Sequence, residues 1–98
     1  MKGRSPSAAE RKWMYAVARL GCCACRKLGV EQPEVSLHHI DGRTKPGAHM
    51  RVIPLCATHH QLGKPEGDWV SVHPWKRSFE ARFGTQAELL EECRALVG

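Results

Sequence analysis

Six histidines and five cysteines are a high load of metal-ligating side chains for 98 residues. Four of the histidines stand in doublets, His38-His39 in SLHHI and His59-His60 in PLCATHHQ. Cys22 and Cys25 form a CxxC pair, and Cys56 with His59 repeats that spacing. Each pair sets two ligands on one side of a tight turn. Together they offer a Cys3His set, which suits tetrahedral zinc. Cys23 lies beside the first pair and could stand in for Cys22. A redox CxxC would sit in a βαβ unit, and none is legible here. Cys93 falls on the apolar face of a C-terminal helix and reads as core.

The doublets point to a second site. Neighbouring side chains on a strand face opposite ways. One of His38 and His39 can therefore bind a metal while the other faces a substrate. On a helix, His60 is turned by about 100° from His59, so it does not easily share the zinc. That leaves ligands for a separate, chemically active metal.

These residues need elements to hold them. Ser7 to Glu10 matches a capping box ahead of the apolar stripe Trp13, Val17, Leu20, and Gly21 stops that helix. Cys22 to Cys25 forms a tight turn. Val35–Ile40 and Arg51–Leu55 read as strands, joined by a Gly-, Pro- and Lys-rich loop over 41–49. A short helix covers 57–62, ended by Gly63, and 63–68 is a loop. Pro74 opens a helix through Phe83 that aligns Trp75, Phe79 and Phe83. Thr85 to Glu88 caps a terminal helix. The organisation expected is a short basic arm over residues 1–6 and a single domain over 7–98.

Bulk properties agree with this. The net charge is +5 and the pI near 9.2, which favours a polyanionic partner such as DNA. No apolar run is long enough for a membrane span, and the polar start MKGRSPSAAERKW is no secretory signal. An odd cysteine count rules out complete internal disulfide pairing. The reading is a cytoplasmic protein with reduced, metal-binding thiols, and its oligomeric state is not legible.

HHI on a strand, a loop, then a strand running into PLCxxHH, with CxxC upstream, resembles the HNH endonucleases, which have the ββα-metal fold. The segments GCCACRKLG, LHHIDGR, PLCATHH and FEARFGTQAELLEECRALVG, with His73 ahead of Trp75, resemble the Ref-type RecA-dependent nucleases of phages and prophages. The likeness runs from about Glu10 to the end. It implies a small zinc-stabilised α+β fold, an HNH core with an N-terminal helix and C-terminal helices. It further implies metal-dependent hydrolysis of DNA phosphodiesters at RecA-bound single strands or strand-invasion loops, in a bacterial host. Carried over, His39 matches the general base, His38 and His60 the catalytic metal ligands, and His73 the last histidine of the motif. A RecA filament would be the partner.

Two departures stand out. Arg51 occupies the position where many HNH proteins carry an asparagine that orients the base, which leaves that task to another group such as Asp41. Three histidines also form a softer set than magnesium usually prefers, so the divalent catalytic metal is read as magnesium, manganese or another transition metal. Arg43 and Lys45, directly after the base, with Arg51, Lys76 and Arg77, are the expected DNA contacts, and Arg26 and Lys27 are further candidates. His49 reads as a surface or DNA-contacting residue. Trp69 and Trp75 read as packing around the metal loop rather than as base-stacking groups. The competing readings are a RecA-independent HNH nicking enzyme and a non-catalytic zinc-bound DNA-binding module.

Overall fold

A computed structural model describes residues 5–98, so residues 1–4 of the expected arm lie outside the described residues. The fold is small and α+β. Four helices surround a two-stranded antiparallel sheet. No described helix is long and apolar enough to cross a membrane.

Helix α1 spans Ala8–Ala18. Its capping box closes as the sequence predicts: the Glu10 amide donates to Ser7 Oγ at 3.1 Å, and the Ser7 amide to Glu10 Oε1 at 2.8 Å. Two otherwise orphaned donors are thereby satisfied. The CxxC segment is more than a turn. It winds into helix α2, Cys23–Lys27, with Cys22 at its N-cap accepting from the Cys25 amide.

Strands β1 (Ser36–His39) and β2 (Val52–Leu55) pair in register, His38 opposite Ile53 and His39 opposite Val52. Every residue of β2 is buried, because helices on both sides contact it. Pro54 is tolerated there because β2 has a single partner strand, so its missing N–H interrupts no second ladder. The loop between the strands carries a short 3-10 turn, Ala48–Met50, that turns His49 inward.

After β2, Thr58–Leu62 forms one π-turn rather than the α-turn expected. The chain then loops out and returns. Val72 and His73 donate their amides to the carbonyls of His59 and His60 at 2.9 and 3.0 Å. Helix α3, Lys76–Phe83, begins two residues after Pro74. Pro74 and Trp75 are used in the turn out of His73 instead of the first helical turn. Helix α4, Gln86–Val97, carries the second capping box, between Thr85 and Glu88.

The core gathers Ile53 and Leu55 of β2, Val70 and Val72 of the returning segment, Phe79 and Phe83 of α3, and Leu89, Leu90 and Cys93 of α4. Cys22, Cys25 and Cys56 lie inside it. Trp75 packs against it from the edge, as expected.

The return loop fits only because residue 63 has no side chain. A Cβ there would lie 2.2 Å from the Trp69 carbonyl oxygen and 2.6 Å from that of Thr58. Gly63→Ala must push the loop off the π-turn. Overpacking of this kind costs about 1–3 kcal/mol, so a denaturant titration is expected to show a lower midpoint. An unchanged midpoint would mean that the loop is not clamped there.

Candidate metal and nuclease site

Cys22, Cys25, Cys56 and His59 converge, with their ligand atoms within 4.8 Å of one another and every residue buried. Cys22 comes from the N-cap of α2, Cys56 from the end of β2, and His59 from the π-turn. The separations can be compared with zinc chemistry. Bonds of about 2.3 Å to sulfur and 2.0–2.1 Å to nitrogen, at tetrahedral angles, set sulfur–sulfur distances of about 3.8 Å and sulfur–nitrogen distances of about 3.6 Å. Cys25 Sγ and Cys56 Sγ are 3.8 Å apart. His59 Nδ1 lies 3.6, 3.5 and 3.3 Å from the sulfurs of Cys22, Cys25 and Cys56.

The surroundings fit the same ion. His59 Nε2 donates to the Asp68 carbonyl at 2.8 Å, which fixes the tautomer and leaves Nδ1 as a lone pair. Trp69 stacks on the His59 ring at 5.0 Å, and Phe83 meets it edge-on at 5.2 Å. Trp69 thus packs on the metal loop through His59, but at 41% exposure it lies at the surface and not in the core. Burial and the neighbouring sulfurs push the Cys25 thiol well up. The cluster can hold a structural metal such as zinc. The choice between Cys22 and Cys23 is also resolved: Cys22 faces the cluster, while Cys23 turns away to a hydrogen bond with Cys93 of α4.

His38, His60 and His73 form a second cluster, again within 4.8 Å. The ring of His38 sits 5.3 Å from His60 and 4.8 Å from His73. Hydrogen bonds orient two of the three rings. His38 Nε2 meets Gln86 Oε1 at 2.7 Å, and His60 Nδ1 meets Ser36 Oγ at 3.0 Å. Each leaves the other ring nitrogen for a cation. Burial holds the His38 pKa down at about 4, against the hydrogen bond that His38 Nε2 donates to Gln86 Oε1, which raises it. Burial and then the His73 ring lower that of His60. Both are therefore neutral near pH 7, the form that ligates. Three imidazoles that leave coordination positions open suit a transition metal better than magnesium.

His39 stands apart, as strand alternation requires. It contacts not the triad but His49, with Nε2 to Nδ1 at 3.0 Å and rings 5.2 Å apart. Its pKa is lowered by burial first, then by Arg43 and His49, while a hydrogen bond to the Leu37 backbone raises it. His38, His39, His60, His73 and Arg43 all line one cleft of about 330 Å³.

Over residues 6–98 the chain matches the family model described as recombination enhancement, RecA-dependent nuclease. The chain belongs to that family. The family is one of nucleases linked to recombination, and the histidine-lined cleft is where this chain brings possible metal ligands and a separate imidazole together.

Three residues that contact the cleft histidines escaped sequence reasoning. His49, read as a surface group, is 3% exposed and sits behind His39. Its signal was weak, an isolated histidine in a basic loop. Gln86 and Ser36 carry no motif at all. Of the expected DNA contacts, Arg43 lines the cleft, Lys45, Lys76 and Arg77 are exposed, and Arg51 is ion-paired with Asp41 at 2.6 Å. Asp41 is thus engaged by Arg51, and the contact to His39 comes from His49.

Metal analysis checks the buried cluster. Cys25→Ser is expected to lose zinc, whereas Cys23→Ser and His73→Ala retain it. Structural zinc contributes about 10–16 kcal/mol in small domains, comparable to the whole stability of a domain, about 5–15 kcal/mol. Chelation is therefore expected to unfold the chain. Zinc retained in Cys25→Ser would remove the assignment.

Proposed function

We propose that this nuclease is an HNH-type DNA endonuclease that hydrolyses phosphodiesters in DNA presented by a RecA filament. The observation that carries the reading is the split of the first histidine doublet across one cleft: His38 joins a three-imidazole cluster, and His39 stays out of it. A purely structural metal site has no use for His39. The succession of β1, β2 and the π-turn around the cleft supports a ββα-metal core, and the family supports the link to RecA.

A divalent cation on His38, His60 and His73 would polarise the scissile phosphate and stabilise the leaving 3′-oxygen. His39, neutral near pH 7, takes a proton from the attacking water on Nε2, the nitrogen that faces His49 until the water enters, as the new P–O bond forms. The P–O3′ bond breaks, the leaving 3′-oxygen takes a proton from solvent water, and the products carry 5′-phosphate and 3′-hydroxyl ends. Arg43, on the cleft wall, holds a neighbouring phosphate. Ser36 and Gln86 fix two ligand rings. His49 does for His39 what the asparagine does in other HNH proteins, and Arg51 does not need to.

General-base catalysis contributes about 10²–10⁴-fold. His39→Ala is expected to lose cleavage by about that factor while keeping zinc and fold. Cleavage of circular single-stranded DNA with ATP and manganese is expected only when RecA is added. Cutting that survives His39→Ala overturns the base assignment, equal cutting without RecA favours a self-sufficient nicking enzyme, and no cutting under any condition favours a zinc-bound binding module. The orienting role has its own check. His49→Ala is expected to reduce kcat about 10–100-fold with little change in KM, and His49→Gln to restore part of it. Equal rates in the wild type and both variants would leave His49 with no part in catalysis.

A further inference from the structure

Outside the cleft, one surface combines exposed aromatic area, unpaired positive charge and a groove. It lies on α1. Arg11, Tyr15 and Arg19 are spaced by four residues, so they form one stripe along the helix. Successive members lie about 6 Å apart along its axis. Tyr15 is the only tyrosine in the chain, and it is 69% exposed.

Two of the cations around it stand outside the ion pairs of the described residues. Lys27, Arg51, Arg82 and Arg94 each pair with a carboxylate. Arg11 and Arg19 have no ion pair among the described residues, where the Arg11 guanidinium donates to the Pro6 carbonyl. The one carboxylate in α1, Glu10, is committed to the capping box. Charge complementarity therefore calls for an anion on this face.

Beside the stripe runs a groove of about 320 Å³, lined by Pro6, Arg11, Met14, Tyr15, Ala18 and Leu37. Leu37 also lines the histidine cleft. A single residue of β1, Leu37, thus borders both depressions.

We propose that this face of α1 is a binding platform for single-stranded nucleic acid, continuous with the cleft. Tyr15 stacks on an unpaired base, and Arg11 and Arg19 take the phosphates on either side. Stacking on an exposed ring requires a base that is free of a duplex, so the platform selects single strands. The inference rests on the nuclease reading only in holding that the strand bound here is the one that enters the cleft.

The test is equilibrium binding with the full-length chain carrying His39→Ala, without added catalytic metal, so that cleavage plays no part. The probes are a labelled oligothymidylate and a labelled hairpin duplex. Tyr15→Ala is expected to weaken oligothymidylate binding by about tenfold or more, within the range that one stacked base supplies. Tyr15→Phe is expected to bind as before, and duplex affinity to stay unchanged in both. Because Tyr15 is exposed, circular dichroism should show an intact fold. Unchanged binding by Tyr15→Ala overturns the platform, as does an equal loss on single strand and duplex. It is also overturned if oligothymidylate affinity holds while RecA-dependent cleavage by Tyr15→Ala, with His39 intact, is lost; the face would then take a protein. Failure of the nuclease reading would appear instead as absent cleavage with this binding difference intact.

Discussion

Three sulfurs and one imidazole nitrogen, held at zinc-like distances inside the core, are what the rest of this molecule depends on. The cluster ties α2 to the junction of β2 and the π-turn, elements that meet nowhere else through comparable chemistry. A chain of this size buries a limited apolar core, and small domains often rely on a metal for the remainder. Here the core residues surround the ligands, so removing the ion would leave ionisable thiols in an apolar setting.

The second site inherits its geometry from the first. His59 is fixed by the cluster and by Asp68, and His60 follows one residue later on a turn whose winding sends it the other way. The main chain of His59 and His60 then accepts the amides of Val72 and His73, which returns His73 to the cleft after a long excursion. Opposite them, β1 delivers His38, oriented by Gln86 from the start of α4. Each cleft histidine is thus placed by a rigid element or a backbone pair.

Much of this was legible in the sequence because it rests on local rules. Strand alternation separates His38 from His39, helical turning separates His59 from His60, and both capping boxes form as their residues predict. What could not be read depends on contacts between distant segments. Cys22 and Cys23 are equivalent until α2 forms and α4 supplies Cys93. His49 lies ten residues from His39 and reaches it only because a 3-10 turn folds the basic loop inward. Gln86 is 48 residues from His38. The π-winding of 58–62 likewise follows from ligand and loop constraints that helix propensity does not encode.

The central claim is that one buried Cys3His zinc organises both the fold and the cleft. X-ray absorption at the zinc edge, on protein depleted of weakly held metal, measures this directly. The account predicts a four-coordinate ion with three sulfurs at about 2.3 Å and one nitrogen at about 2.0–2.1 Å. A shell made only of nitrogen and oxygen, or folded protein with no zinc at all, would contradict it.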